Sequence, residues 1–162
     1  MLRSAKDPIP PRPREDGPGP AELAEGALVF AAVTQGVLVG AWLGLFPDLA
    51  LRLGGFPPAS AFFVRWAGLL HVVLALGYAL EWIRFRRVAL LVLAKGATAL
   101  FLAAAWAGEG LPWLMVLALA LEGAIATSGA LLHDPAERSR RARARLRLVT
   151  PTPSQIRPAG RR

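Results

Sequence analysis

The sequence predicts an all-α fold: an integral membrane four-helix bundle with both termini cytoplasmic. Three observations lead there. Apolar residues make up 54% of the 162 residues, and the mean hydropathy is +0.43, high for a soluble domain of this size. Those residues are gathered into four runs of about 20, the length that crosses a ~30 Å hydrocarbon layer, rather than spread at amphipathic spacing. Basic residues, in turn, are concentrated in alternate loops.

Residues 1–25 carry Pro8, Pro10, Pro11, Pro13, Pro18 and Pro20 among charges, which predicts a disordered or partly polyproline II tail. No early apolar core is present, so no cleavable signal peptide is expected and the first span is read as an uncleaved anchor. The transmembrane domain is predicted over 26–132. Its first helix runs from about 26 to 46 and stops at Pro47-Asp48. The second, 62–82, follows the Phe56-Pro57-Pro58 turn. The third is 88–107, closed by Gly108-Glu109-Gly110. The fourth is 111–132, ended by His133-Asp134-Pro135. The short link between the third and fourth requires an antiparallel hairpin. Residues 133–162 read as a basic, largely disordered cytoplasmic tail, although Ser139–Val149 could extend the last helix along the membrane surface.

Orientation follows from the arginines. Arg3, Lys6, Arg12 and Arg14 precede the first span; Arg84, Arg86 and Arg87 fill the second-to-third loop. Arg138, Arg140, Arg141, Arg143, Arg145 and Arg147 follow the fourth, and the opposite loops hold only Arg52. The positive-inside rule places both termini in the cytoplasm. Trp42, Trp66, Trp106 and Trp113 fall near the outer ends and Trp82 near the inner end, as interfacial anchors do. Arg65 sits where it can snorkel to the outer headgroups, or meet an anion together with Arg52. Glu25 and Glu81 read as solvated interfacial charges, Glu81 within reach of Arg84 or Arg87. The bias to Ala, Leu, Arg, Gly and Pro, with no asparagine, suggests a GC-rich bacterial genome and hence the inner membrane.

The net charge is +8, with the excess outside the apolar runs. The expected partner of the basic tail is a bilayer with anionic headgroups, not nucleic acid, because no base-reading fold or stacking platform accompanies it. There is no cysteine, which removes disulfides and thiolate sites. His71 and His133 are the only histidines and lie at different depths, so no metal site is predicted. No phosphate loop, serine elbow or dinucleotide fingerprint appears; no cofactor and no catalytic residue is assigned.

Each predicted helix carries one strongly polar residue in its interior. With a rise of about 1.5 Å per residue, Gln35 lies roughly 13 Å from the cytoplasmic end of its span, His71 16 Å, Lys95 10 Å and Glu122 15 Å. Lys95 is one of only two lysines in the chain. A charge there costs about 2.5–3.5 kcal/mol on insertion scales. His71 lies on the line Ala67, His71, Ala75, Ala79, and Glu122 on Ala118, Glu122, Ala126, Ala130; small residues at this spacing mark helix-helix faces. Lys95 and Glu122 therefore read as an interhelical pair. Two roles stay open for it: a salt bridge that sets the register of the bundle, or a proton or ligand site with His71 as the switchable member. Gly36, Gly40 and Gly44 form a GxxxGxxxG run that admits a partner backbone. That partner is another helix of the same chain or the first helix of a second copy.

Phe46-Pro47-Asp48 through Gly54-Gly55-Phe56, then Arg65-Trp66-Ala67-Gly68-Leu69-Leu70 and Leu76-Gly77-Tyr78, resemble small bacterial four-helix membrane proteins of the DoxX-like group. The likeness covers roughly residues 26–132. It implies a compact four-helix membrane bundle, and some relatives are associated with quinone-linked oxidation or membrane redox complexes. Three functional classes follow. The favoured one is a non-enzymatic accessory or assembly component of a membrane complex, with a membrane-protein partner or a second copy of itself. The alternatives are a small oligomeric transporter or proton-coupled carrier using the polar layer, and a quinone- or lipid-linked membrane enzyme.

Overall fold

Proline at the first helical position costs nothing, because its missing N–H is one the helix leaves unpaired anyway. Pro20 uses this to start α1 (Pro20–Leu45), earlier than the apolar run begins, so Glu22 and Glu25 are already helical. A computed structural model of the chain describes residues 17–57, 59–109 and 112–149. Arg3, Lys6, Arg12, Arg14 and the proline run of the N-terminal tail lie outside the described residues, as do residues 150–162.

α1 ends at Phe46, and Pro47 immediately starts a second helix, α2 (Pro47–Gly54), where the sequence reading had only a stop. Gly55 terminates it at φ 75°, with Gly55 N–H donating to Arg52 O and Phe56 N–H to Leu51 O. This is the paired bonding of a Schellman turn, which glycine adopts without a Cβ penalty. α2 buries Pro47, Ala50 and Gly54 across one end of the bundle and leaves Leu49 and Leu53 exposed. α3 (Ala61–Phe85) and α4 (Ala89–Glu109) follow. The amide of Leu90, unpaired in the first turn of α4, donates to Glu81 Oε2 at 3.0 Å. Glu81 thus caps a helix instead of meeting Arg84 or Arg87, since the free N–H groups at a helix start attract a carboxylate.

α5 (Trp113–Val149) is the second departure. His133-Asp134-Pro135 does not end it. Proline inside a helix removes a hydrogen bond and crowds the preceding turn, yet His133 and Arg140, on either side of Pro135, are both tied to Glu25 of α1. Those ties brace the helix on both sides of the proline, and it continues through. At 37 residues it is about 55 Å long, so it crosses the hydrocarbon and continues as a basic rod. Residues 133–149 are helix, so the reading in which Ser139–Val149 extends the last helix holds in place of the disordered tail, and the extension already includes His133 to Arg138.

The described residues contain no strand. Four helices, α1, α3, α4 and the first part of α5, are long and apolar enough to cross a membrane. Only 17–22% of each apolar window is buried inside the protein. Phe30, Phe62, Phe63, Leu93, Leu100 and Phe101 all point outward with most of their surface exposed. A soluble protein does not present so much continuous apolar surface. The chain is therefore a multi-pass membrane protein. Its interior is a thin core of Val29, Ala32, Tyr78, Val88, Leu91 and Ile125.

Around the bundle the order is α3, α1, α5, α4. α1 packs most extensively on α3, α4 on α5, and α1 next on α5, whereas α3 and α4 meet only sparsely. In section the bundle is a ring left open at the α3/α4 seam. The α1–α3 contact is the closest. A Cβ on Gly36 would lie 2.9 Å from the Ala75 Cβ, and one on Gly40 only 2.7 Å from the Gly68 carbonyl oxygen. A Cβ on Gly68 would in turn meet the Gly40 oxygen at 2.7 Å. Gly36 and Gly40 thus receive α3 of the same chain; Gly44 presents its amide to Gly68 but leaves its own side-chain position open.

Candidate functional site

The α4–α5 hairpin closes on small residues: a Cβ on Gly123 would touch Ala99 at 3.9 Å, and one on Gly96 would touch Ala126 at 4.0 Å. This close approach brings their sequence neighbours, Lys95 and Glu122, within reach. Lys95 Nζ donates to Glu122 Oε1 at 2.7 Å and to Gln35 Oε1 at 2.9 Å, and Gln35 Nε2 donates to Glu122 Oε1 at 3.0 Å. Lys95 and Glu122 are 4% and 5% exposed. The three side chains come from α4, α1 and α5 and form a closed triangle in which one carboxylate oxygen accepts two hydrogen bonds. The arrangement explains how the bilayer tolerates two charges, because each is neutralised and hydrogen-bonded by the other and by an amide.

The fourth residue of the layer stands apart. His71 Nδ1 donates to Ala67 O of its own helix at 2.8 Å, so this nitrogen is spent within α3. No hydrogen bond joins His71 to the triangle among the described residues. It does face the same space. A cavity of about 200 Å³ lies at the α3/α4 seam, walled by His71, Leu74 and Tyr78 of α3, Lys95 and Thr98 of α4, and Glu122 of α5. Tyr78, two helical turns after His71, was not singled out from the sequence as a polar group. Its signal was the i, i+7 spacing, which puts both on one face. Lys95 has three N–H donors and spends two on Gln35 and Glu122. Glu122 Oε2 takes no protein hydrogen bond among the described residues. The cavity thus offers an ammonium donor, a carboxylate oxygen, a phenol and an imidazole nitrogen against otherwise apolar walls.

Arg52 Nε donates to Asp48 O within its own helix at 3.3 Å, and Arg65 is exposed. No group of three His, Cys, Asp or Glu side chains is placed to hold a metal among the described residues.

A second ionic cluster sits at the basic end, where Glu25 had read as a solvated charge. Glu25 is fully buried; Oε1 accepts from His133 Nδ1 at 3.0 Å and Oε2 from Arg140 Nη1 at 2.5 Å. One turn away, Glu22 pairs with Arg143, which also donates to Gly17 O at 2.9 Å. The correction follows from the helix lengths: α1 starts early and α5 ends late, so their extensions meet. The signal was legible, since carboxylates three apart on α1 face arginines three apart on an antiparallel α5. Replacing Glu25 with glutamine should lower unfolding stability by about 1.5–3 kcal/mol, the worth of hydrogen bonds to a charged group. Thermal unfolding in detergent at neutral pH would check this; an unchanged midpoint would show that the extensions do not need the pair.

Comparison with protein-family models, with curated proteins and with solved structures gives no match.

Proposed function

We propose that this multi-pass membrane protein is a non-enzymatic accessory component that works by binding, and that the α3/α4 cavity seats the ring-sized polar head of a membrane-soluble amphiphile. One observation carries the reading: the charges of the polar layer are closed on one another, while unspent hydrogen-bonding groups line a cavity at the one seam where neighbouring helices barely touch. An interior of about 150 Å³ suffices for a benzene ring, so 200 Å³ admits a single substituted ring with its tail in the lipid. The closed triangle speaks against a proton-coupled carrier, whose working charge must exchange partners. The imidazole, phenol and carboxylate of the wall make no hydrogen bond to one another among the described residues, so no nucleophile is paired with a base, which speaks against an enzyme. The proposal keeps the inner-membrane location, a membrane-protein partner or second copy, and the DoxX-like kinship suggested by the sequence.

The test uses the two histidines as reporters. With His71 in the wall and His133 at the basic end, imidazole NMR of the full chain in nanodiscs has two sites to follow. Titration with a decyl-substituted benzoquinone should shift the His71 resonances and leave His133 unmoved. Thr98→Phe, which fills the cavity from its exposed side, should weaken that response about tenfold, a loss of about 1.4 kcal/mol. A probe that moves both histidines alike, or neither, would overturn the assignment.

A further inference from the structure

At the basic end a larger cavity, about 730 Å³, lies between the start of α1, the end of α3 and the extension of α5. Its wall includes Glu22, Leu23, Trp82, Arg86, Arg140 and Arg143. Two of the three arginines face carboxylates, Arg140 on Glu25 and Arg143 on Glu22. Arg86 has no carboxylate partner among the described residues. Its guanidinium lies 5.4 Å from the Trp82 ring centroid, and that of Arg140 5.9 Å from the same ring. The wall therefore carries one positive charge in excess, on a planar fork suited to phosphate oxygens.

Two further observations point the same way. Arg86 has φ 53°, the region that glycine adopts freely and other residues at a cost of about 1–2 kcal/mol. That backbone setting caps α3 and turns the arginine back over Trp82. Glu22 Oε1, in turn, is buried without a hydrogen-bond partner, an acceptor for a hydroxyl. From the cavity mouth, Leu23, Ala27 and Phe30 form an exposed apolar line on α1 leading toward the hydrocarbon layer. A free phosphate would have no use for that line; an acyl chain would.

We propose that this cleft is a specific site for the phosphodiester headgroup of an anionic glycerophospholipid. Arg86, the one guanidinium of the three without a carboxylate partner, takes the phosphate, Glu22 Oε1 accepts from a headgroup hydroxyl, and an acyl chain lies along Leu23, Ala27 and Phe30. The site is separate from the α3/α4 cavity, and its ligand is recognised by charge.

Native mass spectrometry of the full chain in detergent tests it, titrating phosphatidylglycerol against phosphatidylcholine. Wild type should take up one phosphatidylglycerol clearly ahead of phosphatidylcholine. Arg86→Gln should weaken that first binding about tenfold, as expected for a lost charge-assisted contact. Arg84→Gln removes the same charge from the same helix end and should change it less than twofold. Arg86→Gly relieves the backbone, so it should fold at least as stably and still lose the preference. Equal effects of Arg84→Gln and Arg86→Gln would reduce the binding to diffuse attraction and overturn the site. Displacement of the lipid by inorganic phosphate or glycerol phosphate would reassign the cleft to a free anion and overturn the lipid proposal.

Discussion

Lys95→Met is expected to lower the unfolding free energy of the bundle by about 3 kcal/mol, the lower end of what breaking a buried pair costs. The lower end applies because a chain unfolded within the membrane also finds partners for its polar groups. The loss comes from Glu122, which would keep only the Gln35 amide as a donor. Glu122→Leu should cost a similar amount by leaving the ammonium facing an amide oxygen alone. The double replacement removes both charges from the apolar interior and should recover much of the loss, because apolar substitutes for a buried ion pair are often neutral. Denaturation in mixed micelles measures all four proteins of the cycle. Strictly additive losses would mean that the 2.7 Å contact carries no coupling.

The second large effect is steric. Gly40→Ala should destabilise by about 1–3 kcal/mol, the usual cost of overpacking a filled contact. Its Cβ would lie 2.6 Å from Val72 Cγ2 and 2.7 Å from the Gly68 carbonyl oxygen. The side-chain methyl can move; the backbone oxygen cannot without separating α1 from α3. Gly44→Ala is the matched control, with nothing within 4 Å of the new methyl. It should be neutral or stabilising by up to about 1 kcal/mol, the helix-propensity gain of alanine over glycine. The same unfolding assay decides. Equal behaviour of the two variants would contradict the α1–α3 approach.

That contrast between Gly40 and Gly44 shows what the sequence could and could not convey. The repeat marks a face made for close approach, but its spacing does not say which side-chain positions are filled: the amide of Gly44 still lies against Gly68, yet its own Cβ direction is open. Lys95 with Glu122 was legible because hydrocarbon forces buried charges to pair, and depth follows from helical rise. His71 shares their depth and misses the triangle, since rotation about the helix axis, not depth, decides which neighbour a side chain meets. Pro47 and Pro135 misled in opposite ways. Pro47 reads as a stop, yet proline is also a good first helical residue, and Gly55 supplied the matching end signal for α2. Pro135 reads as an end, yet contacts to a neighbouring helix carried α5 through it. Reading that end correctly would have exposed Glu25 as a buried partner of His133 and Arg140. The open α3/α4 seam had no local signal, because a short connecting loop sets which helices follow one another and not how far they splay.

α1 sits between α3 and α5, and this has a consequence for how the protein is made. Gln35 is hydrogen-bonded to a residue 87 positions downstream, and Glu25 to one 115 positions downstream. At about 5–20 residues per second, the first helix enters the membrane some seconds before its polar groups can find those partners. Early in that interval α1 has the α3 glycine face to engage, and Lys95 of α4 reaches Gln35 next. The α1–α3 pair is thus expected to form as a co-translational platform, and arrival of the last helix then locks the assembly at both its midplane and its basic end.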